Sequence, residues 1–194
     1  GEIAENHADA SHIRAAAKAL QAAGKAALCR LPQGANAIGL ARYGVLPGGQ
    51  GKDAFAMLDG SLKTALLFGI EPQFDFADNA RALKALLAAK TVACTAFTSE
   101  ALCELADVLL PIAALPEIQA TLTNVNGTEQ QAEAAGKAPG SAQSGWRVLR
   151  ALYEHCALPA LAFTDIAGLR ASVAPTAAVS GNGLSAPAAR EQGF

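Results

Sequence analysis

The chain has 194 residues, of which 52% are apolar and only 16% charged, and its net charge is −2. This length suits one domain with a core of its own and excludes a fibrous or wholly disordered protein, while scattered Lys and Arg residues give no basic footprint for nucleic acid. The longest apolar run, Val108–Pro116, is too short for a membrane span, which needs about 20 residues.

The first half of the chain predicts one helix and then a series of strands. An Ala-rich segment with apolar residues on one face predicts a helix over residues 9–23, which Gly24 would end. Short apolar runs bounded by turn residues predict strands, and we expect these strands to be buried on both faces. The runs are Ala26–Leu31, Thr64–Gly69, Thr91–Ala96 and Asp107–Pro111.

Helices are predicted between the later strands. The spacing of apolar residues indicates Asn79–Ala89 and Ser99–Ala106, and Thr98 can act as the N-cap of the second helix. Strands that alternate with helices imply right-handed crossovers and a parallel sheet. We therefore predict an α/β fold, in which a parallel sheet flanked by helices occupies residues 1–115.

A β-hairpin is predicted after the sheet. Thr121–Val125 and Thr128–Glu133 flank Asn126 and Gly127. This pair is best suited to a type I′ turn, since both central residues of such a turn need a positive φ.

The rest of the chain predicts helices and a tail. Trp146–Cys156 and Asp165–Ser172 have helical spacing. With the hairpin they form an appendage over residues 116–173, which we expect to pack on the sheet domain. Residues 174–194 have no periodicity and little bulky apolar content, so we expect a disordered tail.

The best place for a ligand is the edge of the sheet where the strands end, because crevices form outside the carboxyl ends of parallel strands. The candidate cofactor-binding residues there are Gly69, Glu71 and Pro72 after one strand, and Thr98 and Ser99 after the next. Amides at the helix start near Thr98 could hold an anion. In the alternative interpretation, Thr98 only caps its helix and Glu71 is a solvated loop acid.

Other motifs assign no catalytic or metal site. The segment Gly48–Lys52 fails as a P-loop because Asp53 stands where Ser or Thr should reach Mg²⁺. No strand is predicted before the dinucleotide-like pattern Gly181–Ala186. The histidines lack H-E-x-x-H spacing and the cysteines lack C-x-x-C spacing. We expect the cysteines to be buried free thiols: Cys29, Cys94, Cys103 and Cys156.

Three stretches of the chain form a recognisable set when taken in order: Thr64–Pro72, Phe97–Ala101 with Ala106–Ala113, and Ala120–Gln131. Together they resemble the molybdopterin oxidoreductase superfamily. Within that superfamily the chain is most similar to the C-terminal part of the large iron–sulfur subunit of respiratory complex I, the NADH-quinone oxidoreductase of bacteria. The resemblance covers Ala26–Ser172.

The resemblance implies a fragment of a peripheral subunit on the cytoplasmic side of the bacterial inner membrane, without direct membrane insertion. Its partners would be other peripheral-arm subunits of an enzyme that passes electrons from NADH to quinone and couples this to proton translocation. In that subunit, iron–sulfur clusters lie in segments N-terminal to this region, and the pterin-binding fold generally persists without its cofactor. The fragment would then be a structural and assembly scaffold with no cofactor and no active site of its own.

The hairpin departs from the family pattern. The family usually reads Asn-x-Glu-Gly-Arg there, whereas this chain has Asn126, Gly127 and Thr128 after Asn124 and Val125. Both the acid and the arginine are absent. An ion pair or an anionic ligand held at that turn is therefore in doubt.

Two other functions remain open. The chain could be the pterin-dinucleotide-binding part of a true molybdopterin oxidoreductase, with the loop Gly69–Pro72 and the helix start at Thr98 holding the cofactor. It could also be a stand-alone α/β binding module. The low charge and the mean hydropathy of +0.23 favour apolar surface that neighbouring parts of a complex cover; the competing explanation is that Ala-rich helices raise hydropathy without forming a patch.

Overall fold

The computed structural model describes residues 7, 9–24, 26–29, 31–32, 34–45, 51–76 and 78–175. They form two compact units. The first contains the described residues up to 45, with 121–131 and 173–175, and the second contains those of Pro47–Ala120 and Ala132–Ser172. The predicted boundary at residue 115 and the predicted packing of the appendage on the sheet stay predictions.

The helices and strands of the described residues follow one another in chain order. They are α1 (Ala10–Ala22), α2 (Ala37–Arg42), α3 (Ala54–Met57), β1 (Thr64–Phe68), α4 (Pro72–Asp75), α5 (Asn79–Leu87), β2 (Lys90–Thr95), α6 (Glu100–Leu105), β3 (Val108–Pro111), a single 3₁₀ turn (Leu115–Glu117), β4 (Ala120–Thr123), β5 (Glu129–Ala132), α7 (Gly145–His155) and α8 (Ile166–Ser172).

The second unit is built on a three-stranded parallel sheet with the strand order β1-β2-β3. Its register places Leu66 beside Val92, and Val92 beside Val108. Helices α4 and α5 connect β1 to β2, and α6 connects β2 to β3. The predicted α/β fold with a parallel sheet flanked by helices is confirmed.

One face of this sheet is covered by α5 and α6. The helices place Leu86, Leu102 and Leu105 against Leu67 and Ala93 of the strands. Leu102 is fully buried, and the apolar residues of α5 recur at helical spacing, which gives that helix its buried stripe. This core fixes the strands, and with them the positions of the loops that leave their carboxyl ends.

The opposite face of the sheet is open along the row that contains Leu66 and Val108, so the prediction that the strands are buried on both faces is wrong there. It holds at the end of β2, where Cys94, on the same face, is buried. Leu66 is 52% exposed and Val108 is 46% exposed. Toward the strand ends, Gly145 at the start of α7 lies against the ring of Phe68. An apolar run shows that both faces of a strand are apolar, but it does not show what covers each face.

The run Ala26–Leu31 was expected to be a strand, and this expectation is also wrong. Its described residues, 26–29 and 31, have no regular secondary structure and pair with no other strand. A strand requires a neighbour for its backbone hydrogen bonds, which the run itself cannot specify. The preceding helix was predicted correctly: α1 spans Ala10–Ala22, and Gly24 follows it with a φ of +67°.

The hairpin forms where it was expected, but its turn differs from the predicted type I′. Of the two central residues only Gly127 has a positive φ, +83°. The Oδ1 of Asn124 accepts hydrogen bonds from the N–H groups of Asn126 at 3.0 Å and Thr128 at 2.9 Å. The side chain of Asn124 therefore shapes the turn, because its oxygen accepts hydrogen bonds that a backbone carbonyl would accept in an ordinary turn.

The appended helices α7 and α8 form as predicted. At the start of α8, the Oδ1 of Asp165 accepts a hydrogen bond from the N–H of Gly168 at 2.7 Å. The short helices α2, α3 and α4 were not predicted. Four residues in each of α3 and α4 are too few for a periodic pattern. Helix α2 is as long as the predicted α6, but Gly39 at its centre weakens the helical signal. Of the predicted tail, residues 176–194 lie outside the described residues. No helix among the described residues is long and apolar enough to cross a membrane.

Candidate functional site

The loop after β1 is shaped by its backbone. Gly69 has a φ of +64°, and its N–H donates to the carbonyl of Cys94 at 2.8 Å. Pro72 is the buried first residue of α4, and the N–H of Glu71 donates to the Oδ2 of Asp75 at 2.6 Å. A left-handed glycine and a proline that opens a helix explain this sharp turn by local conformation alone.

The loop after β2 connects to the same region. Ser99, and not Thr98 as predicted, is the N-cap of α6: its Oγ accepts from the N–H of Leu102 at 3.2 Å. The same Oγ accepts from the Nε2 of Gln73, in α4, at 2.7 Å. Ser99 caps the helix because it immediately precedes Glu100, whereas Thr98 is one residue too early. The two predicted loops are therefore joined through Ser99.

A cavity of about 330 Å³ lies at this edge of the sheet. Exposed Thr98 is one of its lining residues, and the segment after β3 closes another side. The lining side chains come from Thr95–Thr98, Leu109–Ile112, Ala114, Glu117, Pro139, Ser141 and Ala142.

Residues 139–142 were not predicted as part of this region. They follow β3 by many positions, and no motif singles them out. A parallel bridge between Ile112 and Gln143 brings this segment to the end of β3. Sequence reasoning also missed Gln73, whose buried Oε1 accepts no hydrogen bond in the described part of the chain. No periodic signal identifies such a contact.

The charges at this edge are all negative. The segments that leave the strands, 69–76, 96–100 and 111–117, contain Glu71, Asp75, Glu100 and Glu117 and no Lys or Arg. Among the described residues that line the cavity, Glu117 is the ionisable one, and its Oε2 accepts from the N–H of Ala114 at 2.9 Å. A pterin dinucleotide carries a pyrophosphate, which proteins hold with basic side chains and free amides. The acidic side chains of these segments, without a basic one beside them, disfavour that group here.

Metal ligation finds no support in the described residues either, where no group of three His, Cys, Asp or Glu side chains could hold an ion. The cysteines depart from the prediction that all are buried: Cys94 is buried, and Cys29, Cys103 and Cys156 are exposed. Burial raises the pKa of the Cys94 thiol. A cysteine within a helical or apolar pattern can still be exposed, because the pattern does not show which side of the chain another element covers.

One ion pair of the second unit lies at the other end of the sheet. The Nζ of Lys90 lies 2.9 Å from the Oδ1 of Asp107, and the Oδ2 of Asp107 accepts from the N–H of Thr91 at 2.8 Å. Lys90 and the Thr91 N–H together lower the pKa of Asp107, and Asp107 raises the pKa of Lys90. This pair joins the starts of β2 and β3 and lies away from the carboxyl edge.

Comparisons with known proteins place these observations in a family. The family described as Molybdopterin oxidoreductase matches residues 1–155. The chain is 42% identical over 73 residues to the NADH-ubiquinone oxidoreductase 75 kDa subunit of Reclinomonas americana, covering 37% of the chain and 11% of that protein. It is 39% identical over 67 residues to the mitochondrial NADH-ubiquinone oxidoreductase 78 kDa subunit of Neurospora crassa, covering 34% of the chain and 9% of that protein. The matched segments thus span about a tenth of each relative.

Proposed function

Because this chain belongs to the molybdopterin oxidoreductase family, we propose that it is a domain of the large iron–sulfur subunit of respiratory complex I, of the bacterial type. The names of the two relatives support this assignment, since both are subunits of NADH-ubiquinone oxidoreductase. The parent enzyme would pass electrons from NADH to quinone. In that setting the domain is peripheral, and its partners are other parts of the peripheral arm.

Within that subunit we propose a structural and assembly role without a bound cofactor. The observation that carries this proposal is the charge of the carboxyl edge: acids and no bases stand where a phosphorylated cofactor would need cations. Candidate residues Gly69, Pro72 and Ser99 build turns and cap a helix there. We propose that the crevice is a remnant of the family's ligand site, kept because these residues support the fold.

The open face of the sheet supports the assembly role. Leu66 and Val108 are about half exposed on either side of Val92 in one row. All-parallel sheets are covered on both faces in folded proteins, and exposed apolar patches mark interaction sites. We propose that neighbouring parts of the complex cover this row.

Deletion of the segment from the parent subunit in cells tests the assembly role. We expect less assembled complex on native gels, while the NADH–ferricyanide activity per assembled complex stays unchanged, because the clusters lie elsewhere in the subunit. Normal assembly with a specific loss of quinone reduction would contradict the proposal. Stoichiometric molybdenum or pterin in the purified chain would contradict the cofactor-free part and favour the pterin-binding alternative.

A further inference from the structure

A second apolar feature of this unit is a groove between β3 and α7. Its volume is about 290 Å³, and its floor consists of Leu110 on the strand and Val148 and Leu152 on the helix, with exposed Ala151 between them. On α7 the residues 148, 151, 152 and 155 follow the spacing of one helical stripe. The helix therefore buries one part of this stripe against the sheet and leaves the rest open.

Among the described residues, the rim of the groove carries basic groups and no acid. Gln143, Arg147 and His155, all exposed, complete the lining. The acid of α7, Glu154, pairs with Arg150 at 3.1 Å, and neither of these residues lines the groove. The guanidinium of Arg147 lies 4.5 Å from the centre of the Trp146 ring and forms no ion pair in the described part of the chain.

A neighbouring cleft does contain acids, and Arg147 also borders it. The carboxylates there are used by the backbone: Glu117 accepts from the N–H of Ala114, and Asp165 accepts from the N–H of Gly168. Among the described residues neither carboxylate lies within ion-pair distance of Arg147, so the guanidinium can still pair with a carboxylate of a partner.

We propose that this groove binds an amphipathic helix of a partner polypeptide, with an apolar stripe facing Val148 and Leu152 and acidic residues on its flanks. An open apolar stripe on a helix is the usual receptor for a second helix, and the basic rim selects the sign of the flanking charge. The inference rests on the proposed assembly function, for which it names the chemistry of one partner.

Synthetic stapled helices test the proposal with the full chain. The first has a leucine stripe flanked by Glu, the second has Lys at every Glu position, and the third has Ala in place of the leucines. By fluorescence anisotropy at low salt we expect the Glu helix to bind several-fold more tightly than the Lys helix, because exposed charge pairs contribute modestly to affinity, and the Ala helix to bind no better than the Lys helix.

A charge exchange identifies the groove as the binding site. Arg147→Glu should weaken binding of the Glu helix and strengthen binding of the Lys helix. Arg147→Gln should shift both affinities in the same directions by smaller amounts, because it removes the charge without reversing it. Lys137→Glu, at an exposed loop position outside the groove, should change neither affinity. Circular dichroism establishes that each variant is folded. Equal binding of the Glu and Lys helices, a preference that Arg147→Glu leaves unchanged, no binding of the Glu helix at millimolar concentration, or self-association of the chain through the groove would overturn the proposal. If complex assembly still depends on the domain, any of these overturning results would exclude the helix-binding groove without contradicting the proposed assembly function.

Discussion

The N–H of Thr123 donates a hydrogen bond of 2.8 Å to the Oδ1 of Asn36, although the two residues are 87 positions apart in the chain. Asn36 adopts a left-handed conformation with a φ of +64° immediately before α2. Gly39 lies beside this contact: a Cβ there would stand 2.1 Å from the Oδ1 of Asn36 and 3.0 Å from the Oγ1 of Thr123. The contact between α2 and the hairpin therefore requires glycine at position 39, because any Cβ there would displace the Asn36 side chain.

Gly39→Ala should destabilise the first unit. The new methyl must displace the Asn36 carboxamide and break its bond to Thr123, and overpacking of this kind costs about 1–3 kcal/mol. The higher helix propensity of Ala returns up to about 1 kcal/mol, so we expect a net loss in urea-induced unfolding. Gly136→Ala is the control, since nothing lies within 4 Å of its added Cβ. Equal stability of the two variants would contradict the role assigned to Gly39.

Phe68 and Gly145 should show energetic coupling. A Cβ on Gly145 would stand 2.4 Å from the Cζ of Phe68, so Gly145→Ala should lower stability by about 1–3 kcal/mol through overpacking. In the Phe68→Ala background the ring is gone, and the same substitution should cost much less. A double-mutant cycle by chemical unfolding measures the difference. Additive losses would show that the start of α7 does not rest on Phe68.

The three strands of the parallel sheet and most of the helices could be predicted from the sequence because each has its own pattern. Leu102 and Leu105 lie on one side of α6 because their spacing is helical, and this spacing is visible in the sequence. The turn at Asn126 could not be predicted, since it depends on how the carboxamide of Asn124 competes for two backbone N–H groups. The open row at Leu66 depends on which elements reach that face, and no local pattern carries that information.

The candidate site was predicted in part. The rule for parallel sheets places Gly69, Glu71 and Thr98 at the carboxyl edge, and the structure finds them there. The rule does not predict the hydrogen bond between Ser99 and Gln73, because that contact depends on how α4 is oriented. Whether any of these residues binds a ligand stays a prediction.

The pair Lys90–Asp107 should make stability depend on pH in a defined way. Lys90 and the Thr91 N–H lower the pKa of Asp107 in the folded protein. The carboxylate of Asp107 therefore stabilises the fold above its unfolded pKa, and this stabilisation is lost as the pH falls through the lower pKa of the folded state. Asp107 raises the pKa of Lys90. The ammonium group of Lys90 therefore stabilises the fold below its unfolded pKa, and this stabilisation is lost as the pH rises through the higher pKa of the folded state. Both contributions are present between about pH 4 and pH 10.

Asp107→Asn should therefore lower the Tm within that window, and the difference from the parent chain should shrink toward both ends. The amide still accepts from the N–H of Thr91, so the measurement isolates the charge. Glu104→Gln, which removes an exposed acid that forms no ion pair in the described residues, controls for the change in net charge. A Tm difference that does not vary with pH would show that the ion pair contributes nothing.

The thiols should react in two classes. Cys29, Cys103 and Cys156 are exposed, so Ellman's reagent should modify them rapidly in the native protein. Cys94 is 1% exposed and burial raises its pKa, and both effects slow the attack because the thiolate is the nucleophile. We expect its modification only on unfolding, with Cys94→Ser as the control for assignment. Rapid native reaction of all four thiols would contradict the burial of β2.

Polar substitution of the open sheet face should impair assembly without impairing the fold. Leu66→Thr and Val108→Thr place a β-branched side chain at each position, which strands favour, and both positions are about half exposed, so the Tm of the isolated chain should change little. If neighbouring parts of the complex cover this row, burial of two hydroxyl groups at their contact disfavours association, and native gels should show less assembled complex. Leu87→Gln is the matched control: it removes a leucine that is 65% exposed on α5, which packs on the opposite face of the sheet. Equal assembly of the double variant and the control, at unchanged Tm, would show that the row between Leu66 and Val108 is not an interface.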